Sequence, residues 1–200
     1  MSERFVVTIG REFGSGGNEI GKNLAERLGI SFYDRNLLNI IAEESGIKEQ
    51  FLEKEDERAS NPFDEPYVPY GIDTGSLSER LFKMQAKLIK EKAEEESCVV
   101  VGRCSDYILR NEEHACHVFI YADLGERITR VMEKHHVSED DAYKIIKKQD
   151  KIRKSYYQYY TDHKWGTLEG KDIMINKSST GIDGAVDLII QFLKGKGYIE

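Results

Sequence analysis

The chain has 200 residues, enough for one α/β domain with its own core, with or without an insertion, and no second independent domain is expected. Apolar residues make up 40% and charged residues 32%, and no stretch approaches the ~18 consecutive apolar residues of a membrane span, so a soluble protein is expected. A formal charge of −7 argues against a general nucleic-acid surface, which relies on excess Lys and Arg to displace counterions, but allows a small anionic ligand where cations are gathered locally. The chain enters an apolar run by Phe5 with no export leader, and Cys98, Cys104 and Cys116 are odd in number and irregularly spaced. Both features predict reduced thiols in the cytoplasm.

In chain order, Phe5-Val6-Val7-Thr8-Ile9 predicts a strand, followed by the turn Gly10-Arg11-Glu12-Phe13-Gly14-Ser15-Gly16-Gly17 and by Ile20, Leu24 and Leu28 at helical spacing. Gly14, Gly16 and Gly17 let the backbone approach a ligand without Cβ interference. The loop amides then meet a helix N-terminus carrying roughly half a positive charge, which suits a phosphate group. Residues 30–34 predict a second strand closed by Asp34, completing a right-handed βαβ unit and hence a parallel sheet. A helix is expected from Arg35 to Ile47 with Gly46 as its stop, and a second helical piece from Lys48 to Arg58. Residues 59–75 hold all three prolines, Pro62, Pro66 and Pro69, and predict a long ligand-facing loop. Ser76, with Glu79 three residues on, predicts a capping box opening a helix through Leu81 and Leu88 to about Glu95. Residues 36–97 are therefore expected to form a mostly helical insertion.

The apolar run from Cys98 to Gly102 predicts a strand buried on both faces, ending in Gly102-Arg103-Cys104-Ser105-Asp106. A fourth strand is expected over 117–121, then a helix from Leu124 to His135 bearing Arg127 and Arg130. Ser138 predicts the cap of another helix that continues through Asp150, Arg153 and the tyrosines at 156, 157, 159 and 160. A fifth strand over 171–176 and a closing helix over 182–193 complete the chain. The polar groups at the strand carboxyl ends, Arg11, Asp34, Arg103, Asp123 and Asn176, are expected to converge, because open parallel sheets bind ligands there.

The glycine loop, Phe32-Tyr33-Asp34-Arg35, Val101-Gly102-Arg103, the Arg127 and Arg130 helix, and Asp150-x-x-Arg153-x-x-Tyr156-Tyr157 stand in an order that resembles the cytidylate kinase-like family of P-loop nucleoside monophosphate kinases, over essentially the whole chain. The resemblance implies a single three-layer α/β P-loop domain over 1–200 with a five-stranded parallel sheet. It implies ATP-dependent phosphoryl transfer to a nucleoside monophosphate, CMP or dCMP, with Mg²⁺. The loop Gly14, Ser15, Gly16, Gly17, Asn18 and Glu19 would hold the ATP phosphates. Residues 36–97 would be the flap over the monophosphate, and residues 147–165 the lid over ATP. Asp34 and Arg35 would border the acceptor nucleotide, and Arg103 and Asp106 would contact its phosphate and pyrimidine side. Arg153, with Arg127 or Arg130 behind it, would meet the transferring group. The loop departs from the family at one point. Gly17 stands where the usual loop has lysine, and Asn18-Glu19 replace the hydroxyl that binds magnesium. Arg11 is the nearest cation that could substitute. Glu19 would repel a phosphate unless Mg²⁺ lay between them, and Lys22 is expected to face away.

Other readings compete for the same residues. The glycine loop could be a plain strand-to-helix turn. It could also belong to a dinucleotide-binding unit closed by Asp34, although Glu19 stands where that fingerprint needs its third glycine. Arg103 could be a structural cation paired with Asp34 or Asp106. The four tyrosines could pack the lid or touch ligand, and Lys147, Lys148, Lys151, Arg153 and Lys154 could be a solvated face or a phosphate patch. His114-x-Cys116-His117 has no second cluster to complete a metal site, and no metal ligands are assigned. Cys104 beside Arg103 has no identifiable base. The helix from Ser76 to Glu95 could support a homodimer. As wholes, a regulatory nucleotide-binding module that kept the fold but lost the chemistry, and a P-loop kinase for another small acceptor, remain alternatives; neither a nucleic-acid nor a membrane partner is expected.

Overall fold

A computed structural model describes residues 4–48, 50 and 77–200. Its strands are β1 (Val6–Arg11), β2 (Ser31–Tyr33), β3 (Cys98–Val101), β4 (Ala115–Tyr121) and β5 (Ile173–Asn176). All neighbours are parallel, in the order β2-β3-β1-β4-β5. Val7, Ile9, Val99, Val101, Val118 and Ile120 alternate onto one face, covered by α1 (Gly17–Leu28) and α7 (Lys177–Gly195). Val6, Cys98 and Val100 fall on the other, under α2 (Asn36–Ser45) and α3 (Leu77–Glu95). Helices on both faces make the three-layer α/β arrangement expected from the sequence, and explain why the strands read as unbroken apolar runs.

Local chemistry accounts for the helix ends. Gly16 and Gly29 take left-handed conformations at either end of α1, and Gly29 and Ile30 donate back to Glu26 and Ala25, a Schellman closure. Burying Ile20 and Leu24 completely contributes roughly 1.5–3 kcal/mol each, more than helix propensity supplies over the same turn. Helix α2 stops at left-handed Gly46 as expected. The helix predicted over 48–58, the loop over 59–75 and the cap Ser76 lie outside the described residues, apart from Lys48 and Gln50.

Beyond β3 lie a one-turn helix, α4 (Ser105–Ile108), then α5 (Leu124–His135) and α6 (Glu139–Thr161), the last capped by the Ser138 hydroxyl accepting from the Asp141 amide. Helix α4 has no counterpart in the sequence reading. Strand β4 begins two residues earlier than predicted, at Ala115 opposite Val6. Helix α7 begins at Lys177, with a break at Gly181 (φ 70°, ψ −178°), so the predicted helix over 182–193 is only the part after the break. Among the described residues, no helix is long and apolar enough to cross a membrane.

The candidate ligand motif His114-x-Cys116-His117 is split by strand alternation. Cys116 packs into the α1/α7 core, where burial pushes its thiol up to about 12. His117 faces the opposite side, its Nδ1 2.8 Å from the hydroxyl of fully buried Thr8. Burial also lowers the His117 pKa below its usual 6.5. The stability that comes from keeping this ring neutral is complete above pH 6.5. It is lost as pH falls below the unfolded value and through the lower folded one. Melting temperature should therefore fall between pH 7 and 5, and His117→Gln should flatten that descent in a pH series of thermal melts. A descent of the same slope in the variant would remove His117 as its source.

Candidate functional site

The connections leaving β1 and β3 diverge, one to β2 at the sheet edge and one across β1 to β4. Divergence opens a crevice at the strand carboxyl ends, and the glycine loop after β1 and the turn after β3 border it.

The loop is held from inside. Gly14 (φ 80°) and Gly16 (φ 87°) are left-handed, and a Cβ on Gly14 would lie 3.1 Å from the Arg127 carbonyl oxygen. Ser15 is completely buried and its hydroxyl donates to the Glu12 carbonyl at 2.9 Å, so this side chain shapes the loop rather than projecting from it. Arg127, buried on α5, donates from Nε to the Phe13 carbonyl at 2.8 Å. Its guanidinium also pairs with Glu12 at 3.1 Å and with Asp150 of α6. Asp150 in turn accepts from the Phe13 amide at 2.8 Å. Both backbone groups of Phe13 are thus fixed by side chains from two different helices.

At the mouth of the loop, Asn18 and Glu19 open α1 and are exposed. Asn18 donates to the Asp34 carboxylate at the end of β2, and Glu19 pairs with Arg130 of α5. The acid expected to need Mg²⁺ beside a phosphate is therefore balanced by a side-chain cation. Arg35 is exposed at the start of α2.

Arg11 follows a path that ties the two loops together. A Cβ on Gly17 would stand 2.5 Å from the Arg11 Cβ and 3.1 Å from its Cγ. A Cβ on Gly102 would stand 1.9 Å from its Nη1. The side chain starts over the first residue of α1 and ends against the turn after β3, in space that two glycines vacate. Gly17 has an ordinary helical φ, so glycine is needed there for room and not for conformation.

The second loop is strained. Gly102, Arg103 and Cys104 are left-handed in succession, with φ of 80°, 57° and 54°. The two non-glycine residues cost of order 1 kcal/mol or more each, and such outliers concentrate at ligand sites. Arg103 is buried at 3% exposure. Asp106, on α4, accepts from the Tyr157 hydroxyl at 2.9 Å and pairs with Lys171 at 2.5 Å. Arg11, Arg103, Arg153 and Lys171 line one cleft with Asp106, walled by aromatic residues that include Tyr157 and Trp165. Among the described residues, four cations and one acid line the cleft, in a chain whose net charge is −7.

Helix α6 divides the predicted basic patch. Lys147, Lys148, Lys151 and Lys154 are exposed. Arg153 turns inward and donates to the Arg11 carbonyl at 3.1 Å. The tyrosines pack. Tyr156 donates to Gln85 of α3 at 3.2 Å, and Tyr160 stacks on Phe82 at 4.0 Å. Tyr159 donates to Glu79 at 2.9 Å. The structure thus brings together Arg11, Arg103, Asp106 and Arg153, and places Asn18, Glu19, Asp34 and Arg130 at the loop mouth. Arg127, expected with Arg130 behind Arg153 at the transferring group, is instead taken up by Glu12, Asp150 and the Phe13 carbonyl. Lys171, read as the start of the fifth strand, lies before β5, which begins at Ile173, and was not among the predicted site residues because a lone lysine has no local signature.

Comparison with known proteins bears on the family and the fold. The sequence model described as the cytidylate kinase-like family matches residues 6–179. Among solved structures, the chain is similar to an uncharacterized protein from Eubacterium ventriosum ATCC 27560. The two are 32% identical over 96% of this chain and 99% of that one, with a TM-score of 0.75. It is also similar in fold to two shikimate kinases at 14% identity and TM-scores of 0.56. One is from Acinetobacter baumannii, in complex with shikimate (98% and 96% of the two chains), and one from Bacteroides thetaiotaomicron (95% and 98%). The sheet and its flanking helices are accordingly a P-loop NTPase-like fold. No curated protein matches.

Proposed function

Because the chain belongs to the cytidylate kinase-like family, we propose that it transfers the γ-phosphoryl group of ATP to a nucleoside monophosphate, CMP or dCMP. An oxygen of the acceptor phosphate attacks the γ-phosphorus, the bond to the β-phosphate oxygen breaks, and ADP leaves. The observation that carries this reading is the course of Arg11 from Gly17 to Gly102. It runs the aliphatic stem over Gly17, where the family's loop has lysine, and sets the guanidinium against the turn suited to the acceptor. Phosphoryl transfer depends on positioning and on stabilising charge at the equatorial oxygens, which a cation in that place supplies.

In this reading the backbone from Gly14 to Glu19 receives the ATP phosphates, with Ser15 bracing the loop from within. Asn18 and Asp34, already hydrogen-bonded, suit the one or two protein oxygens that Mg²⁺ takes beside phosphates and water; the metal would neutralise phosphate charge. Asp34 and Arg35 border the acceptor. Arg103 holds its phosphate, and Asp106 meets its pyrimidine side. Arg153 and Arg130 add positive charge around the transferring group. Residues 36–97 act as the acceptor flap and 147–165 as the lid of a single domain working in the cytoplasm.

The test is ADP release, followed by a coupled assay over a panel of acceptors. CMP-dependent turnover is expected. Turnover only with a non-nucleotide acceptor would replace the substrate assignment, and tight ATP binding without turnover on any acceptor would make the protein a regulatory module.

A further inference from the structure

We propose that Lys171 is a positioning residue that acts through Asp106 to set which acceptors the cleft takes, favouring those that carry an N–H donor on the base. The proposal rests on the acceptor reading above and adds a residue to it. The Lys171 side chain is 4% exposed and that of Asp106 9%, so the ammonium lies out of water with its carboxylate partner. A buried ion pair of this kind adds little to stability, since an apolar pair of the same volume is often as stable or more so. Its place in the cleft calls for a different explanation.

The geometry supplies one. The Lys171 ammonium and the Tyr157 hydroxyl both engage the same oxygen, Asp106 Oδ2, at 2.5 and 2.9 Å. Burial and the adjacent Asp106 charge push the Tyr157 pKa upward, so the phenol stays a donor. A carboxylate has about four lone-pair sites on two oxygens, and loading both donors onto Oδ2 fixes the rotamer while leaving Oδ1 to a donor in the cleft. The three residues come from α4, α6 and the segment before β5, so the carboxylate is held from two sides at once. Cytosine presents an amino donor at the position where uracil presents a carbonyl acceptor, as the base edges of C and T show. A fixed carboxylate oxygen attracts the first and repels the second. Without Lys171, Asp106 would be a buried acid with one remaining partner, able to protonate or turn, and the discrimination would be lost.

The experiment uses Trp165, the only tryptophan of the chain and a wall of this cleft, as a fluorescence reporter. CMP and UMP are titrated separately into the unmodified protein, Lys171→Met and Lys171→Arg. CMP should bind the unmodified protein more tightly. Lys171→Met should weaken CMP about tenfold or more and UMP far less, so that the ratio collapses while ATP affinity holds. Lys171→Arg should restore most of the ratio, a rescue that a purely structural role would not tie to base identity. A Lys171→Met protein with an unchanged ratio would overturn the inference while leaving the acceptor reading intact. Failure of both CMP and UMP to bind the unmodified protein would overturn both. Should Lys171→Met not fold, Lys171→Gln keeps an N–H donor without the charge. A partial fall in the ratio is expected there, and an unchanged ratio overturns the proposal.

Discussion

Arg11→Ala is expected to lower turnover of the proposed kinase reaction by about 10³-fold, the lower end of what a transition-state arginine is worth, with little change in melting temperature. The side chain lines the cleft and belongs to none of the apolar core clusters, so its removal takes charge from the reaction more than it takes packing from the core. Gly17 gives the experiment a second arm. Lysine introduced there alone would put its Cβ 2.5 Å from the Arg11 Cβ, a distance that requires one of the two side chains to move, and Gly17→Lys should be impaired as well. The pair Arg11→Gly with Gly17→Lys vacates the space and restores a cation from the other side of it, and should recover part of the turnover that either single change loses. Steady-state kinetics on the three proteins decides the matter. Full activity in Arg11→Ala would remove Arg11 from the mechanism, and a pair no better than Arg11→Ala would mean that the two cations do not occupy equivalent places.

Arg127→Ala should be the most damaging substitution to the fold among the site residues. It would leave Glu12 and Asp150, both largely buried, facing each other without their cation, and the Phe13 carbonyl without its donor. Removing one partner from a buried ionic network costs about 3–5 kcal/mol. In a chain of this size that lowers the melting temperature by roughly 10 °C. Because Phe13 lies one residue before Gly14, ATP binding should weaken along with stability. Asp150→Asn should cost less, and the double variant should fall short of the sum by about 1 kcal/mol or more, since the two side chains share one network. The contrast is Arg27–Asp187, a pair at 2.6 Å whose side chains are 46% and 59% exposed. Breaking it should cost well under 1 kcal/mol. Thermal melts and ATP titrations on the four proteins test both statements, and an Arg127→Ala protein that melts like Arg27→Ala would show that the clamp does not hold the loop.

Much of the fold is legible in the sequence. The order of strands and helices, the parallel sheet, the glycine loop as a helix entrance, the Ser138 cap and the Gly46 stop are written in periodicities of 2 and 3.6 and in residues with special backbone preferences, and these act over a few neighbours. The errors were of the same scale: a one-turn helix after β3, a strand start displaced to Ala115, a helix that begins before Gly181 rather than after it.

The amino-acid sequence by itself therefore determined the architecture and the presence of a glycine-rich strand-to-helix loop with Gly17 at its end. It also identified Arg11, Arg103, Asp106 and Arg153, each from a motif or a strand end. Tertiary structure alone decided what those side chains do to one another: that Arg11 spends its length between Gly17 and Gly102, that Glu19 is answered by Arg130, that Arg153 turns inward while four neighbouring lysines face water, and that Asp106 is held by Lys171 and Tyr157. Most of these partners, such as Arg130 for Glu19 or Lys171 for Asp106, are far apart in the chain and meet only in the folded layers. A local pattern records which face of an element is apolar, but the charge that will stand opposite a given side chain is set only when the layers close.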